Sequence, residues 1–346
     1  MTSRINVKVI LLMVAAFLIV GCRKKSIVHP TFYFWRTNYQ HKQVESAYLE
    51  KFKSKVLYVR IMDVDYNPEL QQVVPISPIK FSDSLPRNVD IIPVVYIVNS
   101  IFEQVDAKER AVLARRIADF VQAKVKQAGK QGFTELQIDC DWTRATRDRY
   151  FDFLKKLKMQ PTLAGKTISV TLRLHQVKNI LSSGIPPVKK AILMCYNMGN
   201  LRKYGEQNSI LDQHEMDVYL SGYLENYPLN LDVALPVFEW AVIFRNKKYA
   251  GISRRINKAK IQDEQKFKRL PNSIFYELIV DYPEAGLKRG DVVRWEDVSK
   301  DDLLATSKFL SRNLKPAERN LVFYHLDADL LKHFTDEDLQ KVIAVF

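Results

Sequence analysis

The chain has 346 residues, 47% of them hydrophobic, and a formal net charge of +14 at pH 7. Its 11 glycines and 14 prolines exclude a collagen-like or low-complexity chain and are typical of a packed globular protein. The lysines and arginines are scattered, without a basic stripe or a recognised nucleic-acid motif, so the charge does not predict a nucleic-acid partner. The length after residue 21 suits one large α/β barrel or two ordinary domains.

The first residues have the order of an export signal. Arg4 and Lys8 precede an uninterrupted apolar run from Val9 to Val20. In a helix such a run rises about 18 Å, which is well short of the roughly 30 Å hydrocarbon core of a bilayer. The pattern therefore predicts a cleaved signal peptide over residues 1–21, and not a permanent membrane span.

The segment Ile19-Val20-Gly21-Cys22 is similar to the lipobox of bacterial lipoproteins. That resemblance implies that Cys22 carries acyl chains such as palmitate and becomes the new amino terminus. It also implies a protein of the bacterial cell envelope, anchored to a membrane (first of all the outer membrane) and facing the periplasm or the exterior. Residues 22–30 are then a lipidated tether, whose basic start favours anionic lipid head groups. The alternative is an ordinary signal peptide in which Cys22 is incidental.

Eight short apolar runs alternate with helical patterns after residue 30, which is the arrangement of βα units with a parallel sheet. Eight such strands close a (β/α)₈ TIM barrel, so the sequence predicts this α/β fold over residues 31–346. An open doubly wound sheet is the alternative. The predicted strands are Phe32–Trp35, Val56–Met62, Ile91–Ile97, Leu136–Cys140, Ile168–Leu172, Ile192–Tyr196, Val233–Phe238 and Leu321–Leu326.

Predicted helices fill most of the connections between these strands. One begins where Asp106 and Glu109 have the spacing of a capping box, and it ends near Gly129. Residues near 243–298 do not have the pattern of one helix, and they predict a small α+β insertion after the seventh strand. The other predicted helices lie near 150–157, 211–224, 301–310 and 336–344, and the predicted strands of the insertion are Ile274–Val280 and Gly290–Trp295.

The fourth predicted strand places two carboxylates on one face at its carboxyl end. Side chains alternate along a strand, so Asp139 and Asp141 face inward while Cys140 faces the helices. Active sites of such barrels lie at this end, and two carboxylates are costly to bury there unless they are paired or used. They are therefore either catalytic groups or a structural cluster that binds Arg173 or backbone amides.

Four segments of the chain together resemble glycoside hydrolase family 18, the family of chitinases and endo-β-N-acetylglucosaminidases. They are Asp139-Cys-Asp141-Trp142 for the strand-four signature D-x-x-D-x-D-x-E, Met194-Cys-Tyr196-Asn197 for M-x-Y-D, Leu235-Pro-Val-Phe238 for L-P-F-Y, and Val322-Phe-Tyr324 for the end of strand eight. The resemblance spans residues 31–346 and implies a TIM barrel that acts on a glycan containing N-acetylglucosamine. In that family the N-acetyl oxygen of the substrate attacks the anomeric carbon. The resemblance gives Asp141 the role of supporting this group and Tyr196 a contact with it.

Three positions depart from the family pattern. Leu136 replaces the first aspartate of the signature, Thr143 replaces the glutamate that protonates the glycosidic oxygen, and Asn197 replaces the aspartate of strand six. A threonine cannot be the acid near neutral pH, and loss of a general acid typically costs about 10²–10⁴-fold in rate. Either the acid has moved, or the site binds a glycan without cleaving it.

Glu239, after the seventh strand, is the candidate for a moved acid, because many barrel glycosidases pair carboxylates after strands four and seven. The alternative for Glu239 is a rim residue that pairs with Arg245 or another basic neighbour. The candidate catalytic residues are therefore Asp139, Asp141 and Glu239. The candidates for substrate binding are Trp35, Trp142, Tyr196, Asn197 and Tyr324, although aromatic side chains at strand ends are also common core material.

Hydrolysis of a glycan is the leading hypothesis at this point, and a non-catalytic glycan-binding or scaffold barrel is its rival. The sequence predicts no cofactor, since it has no phosphate-binding glycine loop and no nucleotide motif. Cys140 and Cys195 are predicted to be buried free thiols on strands that are not neighbours, with no metal site.

Overall fold

The computed structural model describes residues 26–253 and 255–346, so the predicted signal peptide and Cys22 lie outside the described residues. Eight parallel strands form a closed sheet, because the first strand pairs with both the second and the eighth. The predicted (β/α)₈ TIM barrel is therefore confirmed. The barrel strands, called first to eighth in chain order, are Ile27–Phe34, Val56–Asn67, Asp90–Ile97, Glu135–Asp139, Thr167–Leu172, Lys190–Met194, Asn230–Pro236 and Glu318–Tyr324.

The barrel strands are rich in β-branched and aromatic residues that are buried on both faces of the sheet. The third strand reads Asp90-Ile-Ile-Pro-Val-Val-Tyr-Ile97, and all of its side chains except those of Asp90 and Tyr96 are buried. One set packs against the helices and the other fills the barrel. Every pairing that closes the barrel lies within residues 26–346, so this part of the chain contains a complete folding unit.

Polar side chains fill the interior of the barrel in layers. Tyr33 donates a hydrogen bond from its hydroxyl to Gln137 Oε1 at 2.6 Å. Nearer the amino ends of the strands, Lys190 Nζ lies 2.8 Å from Glu135 Oε2 and 2.7 Å from Asp232 Oδ2. This lysine compensates two buried carboxylates, which would otherwise be costly to remove from water. The inside of the barrel is therefore plugged by its own hydrogen-bonded side chains.

Helices cover the barrel in most connections. The helix Ala107–Gln127 begins with the predicted capping box, in which the Asp106 carboxylate accepts two backbone amide hydrogen bonds. A β-hairpin follows the second strand instead, because that strand extends to Asn67 and pairs antiparallel with Gln72–Ile76. The sequence pattern does not predict this hairpin. The other helices of eight or more residues are Gln43–Lys51, Arg147–Lys158, Gln213–Leu220, Lys300–Asn313 and Asp336–Ala344.

The insertion after the seventh strand is an antiparallel five-stranded sheet with its own hydrophobic cluster. It begins at Trp240 and its last strand ends at Glu296, close to the predicted bounds of 243–298. Two of its strands match predicted ones, and the other three are additional. The five strands are Trp240–Arg245, Lys248–Ser253, Phe267–Arg269, Phe275–Leu278 and Val292–Glu296.

A fully buried ion pair within the insertion binds the connection after the sixth barrel strand. Arg294 Nε donates to Glu296 Oε1 at 2.6 Å, and the other nitrogens of Arg294 donate to three backbone carbonyls within residues 201–205. Glu296 also accepts hydrogen bonds from the amide and the hydroxyl of Ser209, at 2.8 and 2.6 Å. Residues 201–209 belong to the connection after the sixth barrel strand. That connection and the insertion therefore pack as one unit.

The two cysteines of the barrel agree with a further expectation from the sequence. Cys140 and Cys195 are buried free thiols, as predicted. Within the described part of the chain, no helix has the length and apolar character needed to cross a bilayer.

Candidate functional site

Asp139 is buried at the carboxyl end of the fourth barrel strand. It lies in register with Tyr96 of the third strand, and only 8% of its surface is exposed. Thr171 of the fifth strand donates a hydrogen bond to Asp139 Oδ1 at 2.6 Å. Burial first, and then the negative charge of Asp141, raise the pKa of Asp139 to about 6. This carboxyl group can therefore hold a proton close to neutral pH.

Asp141 is paired with an arginine of the next strand. Arg173 Nε and Nη2 donate to the two carboxylate oxygens of Asp141 at 2.7 and 2.9 Å. The amide of Arg173 in turn donates to Gln176 Oε1 at 2.9 Å, which fixes the start of the following short helix. Two parallel hydrogen bonds make this a strong form of ion pair. Asp141 is therefore part of a structural pair with Arg173, as the alternative interpretation of the two aspartates predicts. Its charge is compensated before any ligand binds.

Thr143 occupies the position at which the resembled family carries its acid. Its side chain is exposed, and its Oγ1 lies 3.3 Å from Thr146 Oγ1. The amide of Thr143 donates to Thr146 Oγ1 at 3.0 Å, and the hydroxyl of Thr146 donates to Asn99 Oδ1 at 2.6 Å. These bonds stabilise the turn that leads into the helix Arg147–Lys158. The position thus holds a hydroxyl used in local structure, where the family has a carboxyl group.

Glu239 lines a different cavity, of about 220 Å³, whose wall contains neither Asp139 nor Asp141. Its Oε1 lies 3.6 Å from His333 Nε2, and burial raises the pKa of Glu239. The expectation that Glu239 is a displaced acid beside the two aspartates is thus corrected, because the start of the insertion turns it toward His333. Of the alternative, a rim residue that pairs with Arg245 or another basic neighbour, the second form describes Glu239. Arg245 pairs with an aspartate of the insertion, and His333 is the basic neighbour of Glu239. Across the described residues, no group of three or more potential metal ligands is present.

Trp142 is part of the core and does not face the mouth of the barrel, by which we mean the open end at the carboxyl ends of the eight strands. Only 2% of its surface is exposed, and its ring stacks on that of Tyr150 at 5.2 Å. Its Nε1 donates to the carbonyl oxygen of Ser183 at 2.8 Å. The physical reason is side-chain alternation, which sends Cys140 and Trp142 toward the helices when Asp141 points to the mouth. The prediction that Trp142 contacts a substrate is therefore wrong.

Aromatic rings from four strand ends form one continuous cluster at the mouth, which we call the aromatic floor. Trp35 and Tyr324 lie 5.5 Å apart and are both partly exposed. Tyr324 contacts Tyr196 at 5.0 Å, and Tyr196 contacts Phe238 at 6.1 Å. Tyr196 is almost fully buried beneath the surface of this floor. Three of the predicted substrate-binding residues are thus brought together, and two of them present part of their rings to solvent.

Asn197 lies three residues after the end of the sixth strand, and it is exposed. Its φ of 55° places it in the left-handed region, which asparagine tolerates better than most residues. The residue that replaces the family's strand-six aspartate therefore also turns the chain into the next connection.

Two partners of the candidate residues are missed by reasoning from the sequence. Thr171 carries a usable signal, because it has the same parity as Arg173 on the fifth strand and so faces inward beside Asp139. His333 lies beyond the eighth strand between two short helical segments, and no local pattern brings it to Glu239.

Solved structures with this fold include chitinases and a spore cortex-lytic enzyme. A chitinase from Chromobacterium violaceum aligns with a TM-score of 0.53 and 11% identity, over 92% of this chain and 98% of that chain. The spore cortex-lytic enzyme SleL from Bacillus cereus aligns with a TM-score of 0.53 and 11% identity, over 93% of this chain and 75% of that one. Catalytic domain 2 of a group II chitinase from Ostrinia furnacalis, in complex with penta-N-acetylchitooctaose, aligns with a TM-score of 0.51 and 12% identity. The alignment covers 92% of this chain and 96% of that chain.

Comparison with family models gives no match for this chain, and comparison with curated proteins gives none either. The similar solved structures therefore define the fold of this chain, a (β/α)₈ TIM barrel.

Proposed function

We propose that the mouth of the barrel binds a glycan containing N-acetylglucosamine and does not cleave it by the substrate-assisted route. The observation that carries this proposal is the aromatic floor, where Trp35 and Tyr324 are partly exposed at the same end of the barrel as Asp139 and Asp141. Aromatic faces offer apolar area of defined geometry on which a sugar ring can stack. The oligosaccharide bound by the similar chitinase domain from Ostrinia furnacalis supports the same class of ligand.

Three features of the site argue against cleavage. Thr143 provides no carboxyl group at the position of the family's acid, and Glu239 faces another cavity. In addition, Arg173 already occupies both oxygens of Asp141, the residue that would have to support the N-acetyl group. Hydrolysis remains the second candidate, because a pKa of about 6 suits Asp139 to proton donation.

Glycan-array binding with the 26–346 fragment tests the proposal, followed by incubation of each bound glycan and chromatography of the products. We expect binding without cleavage. Trp35→Ala should weaken binding on the order of tenfold through loss of a stacking surface, with little change in melting temperature. Tyr223→Ala, an exposed aromatic in the connection before the seventh strand, is the matched control and should bind as the wild type. Absence of any glycan binding would refute the proposal, and cleavage products would establish the second candidate.

We also propose that the protein is a lipoprotein of the bacterial cell envelope, acylated at Cys22. The support is the lipobox-like segment that ends at Cys22 and the position of the first barrel strand, which begins at Ile27. Cys22→Ser should abolish metabolic labelling with palmitate and release the protein from the membrane fraction. Cys140→Ser, which removes a buried thiol, is the matched control and should keep both properties. Labelling that survives Cys22→Ser would contradict the anchor.

A further inference from the structure

The end of the barrel opposite the mouth has an unusual balance of charge. We call it the amino-terminal face, and it is formed by the segments that lead from the outer layer into the second to eighth barrel strands. These segments carry seven lysines and arginines and two acidic residues, and the exposed carboxylates of Asp90 and Glu318, the first residues of the third and eighth strands, lie at the same end. They are residues 52–55, 82–89, 128–134, 159–166, 184–189, 221–229 and 314–317.

Most of these basic side chains are exposed and form no ion pair among the described residues. Lys53, Lys55, Arg87, Lys189 and Lys315 are all exposed. The ion pairs among the described residues include none of these five side chains. Because these five basic side chains share one end of the barrel, their fields add at this face.

A cavity of about 490 Å³ opens within the amino-terminal face. Its wall includes Lys189, Lys190, Lys315 and Arg319, together with the carboxylates of Asp232 and Glu318. Asp232 pairs with Lys190 and Glu318 lies beside His29, so neither carboxylate forms an ion pair with Arg319. Only 4% of the surface of Arg319 is exposed, and its terminal nitrogens donate to the backbone carbonyls of Leu231 and Lys315.

Arg319 is therefore a buried cation without a carboxylate partner among the described residues. Its Nε, also buried, makes no hydrogen bond there. A buried charge that is hydrogen-bonded only to neutral groups is costly, and an anion in the cavity would lower this cost. With the two lysines at the rim, the cavity matches a group that carries negative charge on several oxygens, such as a phosphate.

The same face exposes large apolar side chains. Ile27, Met159, Ile185 and Tyr223 lie in or beside its segments, and their surfaces are 62%, 78%, 45% and 42% exposed. Basic side chains beside exposed apolar ones are typical of surfaces that lie in the interface of a membrane, where both kinds of group find favourable surroundings. A soluble polyanion would bind the basic side chains but would not bury the apolar ones.

We propose that the amino-terminal face docks on a bilayer that contains anionic phospholipid, with a head-group phosphate in the cavity beside Arg319. The inference rests on the proposed anchor at Cys22. The first described residue, Ser26, is four positions from Cys22, and four extended residues span at most about 14 Å. An acyl chain at Cys22 therefore holds this face next to the membrane, with the mouth and the insertion pointing away from it.

Vesicle co-sedimentation of the 26–346 fragment tests the docking surface at low ionic strength. The vesicles contain either phosphatidylcholine alone or phosphatidylcholine with one-third phosphatidylglycerol. The test variant reverses three charges of the face by Lys55→Glu, Lys189→Glu and Lys315→Glu. The matched control reverses three exposed lysines of the insertion, Lys248→Glu, Lys268→Glu and Lys288→Glu, so both variants have the same net charge.

We expect the wild-type fragment and the insertion variant to sediment with the vesicles that contain phosphatidylglycerol. Both proteins should stay in the supernatant when the vesicles contain phosphatidylcholine alone. The variant of the amino-terminal face should partition at least ~100-fold more weakly, because each lysine near an anionic surface contributes separately. Failure of the wild type to bind, or equal loss in both variants, would overturn the proposal. The fragment lacks Cys22, so this outcome is independent of palmitate labelling, which alone decides the anchor.

Discussion

Replacing Asp139 by asparagine should change how the stability of the protein depends on pH. The pKa of Asp139 is raised from 3.8 to about 6 by burial and by the charge of Asp141. The native state therefore binds this proton more tightly than the unfolded chain does. Below pH 3.8 the group is protonated in both states, and its ionisation costs nothing. Above about pH 6 it is ionised in both states, and the native state carries the full penalty.

The size of the effect follows from the two pKa values. One pKa unit corresponds to about 1.4 kcal/mol, so the difference between 3.8 and about 6 gives roughly 3 kcal/mol. Asp139 is almost fully buried, so solvent screening does not reduce this figure greatly. The asparagine keeps the shape and still accepts the hydrogen bond of Thr171, but it carries no charge. Asp139→Asn should therefore stabilise the protein by up to ~3 kcal/mol above pH 7 and by almost nothing near pH 4.

Urea unfolding of the wild type and Asp139→Asn at several pH values between 4 and 8 measures this difference. Titrating groups far from position 139 contribute equally to both proteins, so the difference in unfolding free energy reports Asp139 together with its coupling to Asp141. We expect this difference to grow between pH 4 and 6 and then to level off. A difference that stays constant with pH, or that falls as pH rises, would show that burial does not raise the pKa of this group.

Three further changes test other parts of the structure. Lys190→Met leaves two buried carboxylates uncompensated and should lower the unfolding free energy by about 3–5 kcal/mol, whereas Lys189→Met on the neighbouring exposed side chain should change it by less than ~0.5. Arg294→Met should cost a similar ~3–5 kcal/mol and increase hydrogen exchange in the insertion, measured by mass spectrometry. Trp142→Phe removes a buried hydrogen bond and should cost about 1–3 kcal/mol in denaturant unfolding, with glycan affinity unchanged.

The barrel could be predicted because its signals are periodic and independent of distant residues. Each strand is a short apolar run, and the eight runs alternate with amphipathic helices, so the count of strands alone suggests closure. The hairpin after the second strand escapes such reasoning. Its second arm, Gln72–Ile76, is short and only partly buried, and its pairing with the extended strand is a tertiary event.

The site was predictable in position but only partly in chemistry. Side-chain parity places Asp139 and Asp141 correctly at the mouth, because alternation along a strand is a local rule. The same rule sends Trp142 toward the helices, and it outweighs the general tendency of aromatic residues at strand ends to line sugar sites. The direction of Glu239 depends on how the insertion leaves the seventh strand, which no local pattern encodes.

The layered plug inside the barrel has a mechanical consequence. Tyr33, Gln137 and Lys190, with the carboxylates of Glu135 and Asp232, hydrogen-bond across the barrel between the two open ends. A small molecule held at one end has no direct diffusive route to the other through such a plug. The two ends are thus separate compartments for dissolved ligands. A ligand bound at one end acts on the other only through the charges and the strands that connect them.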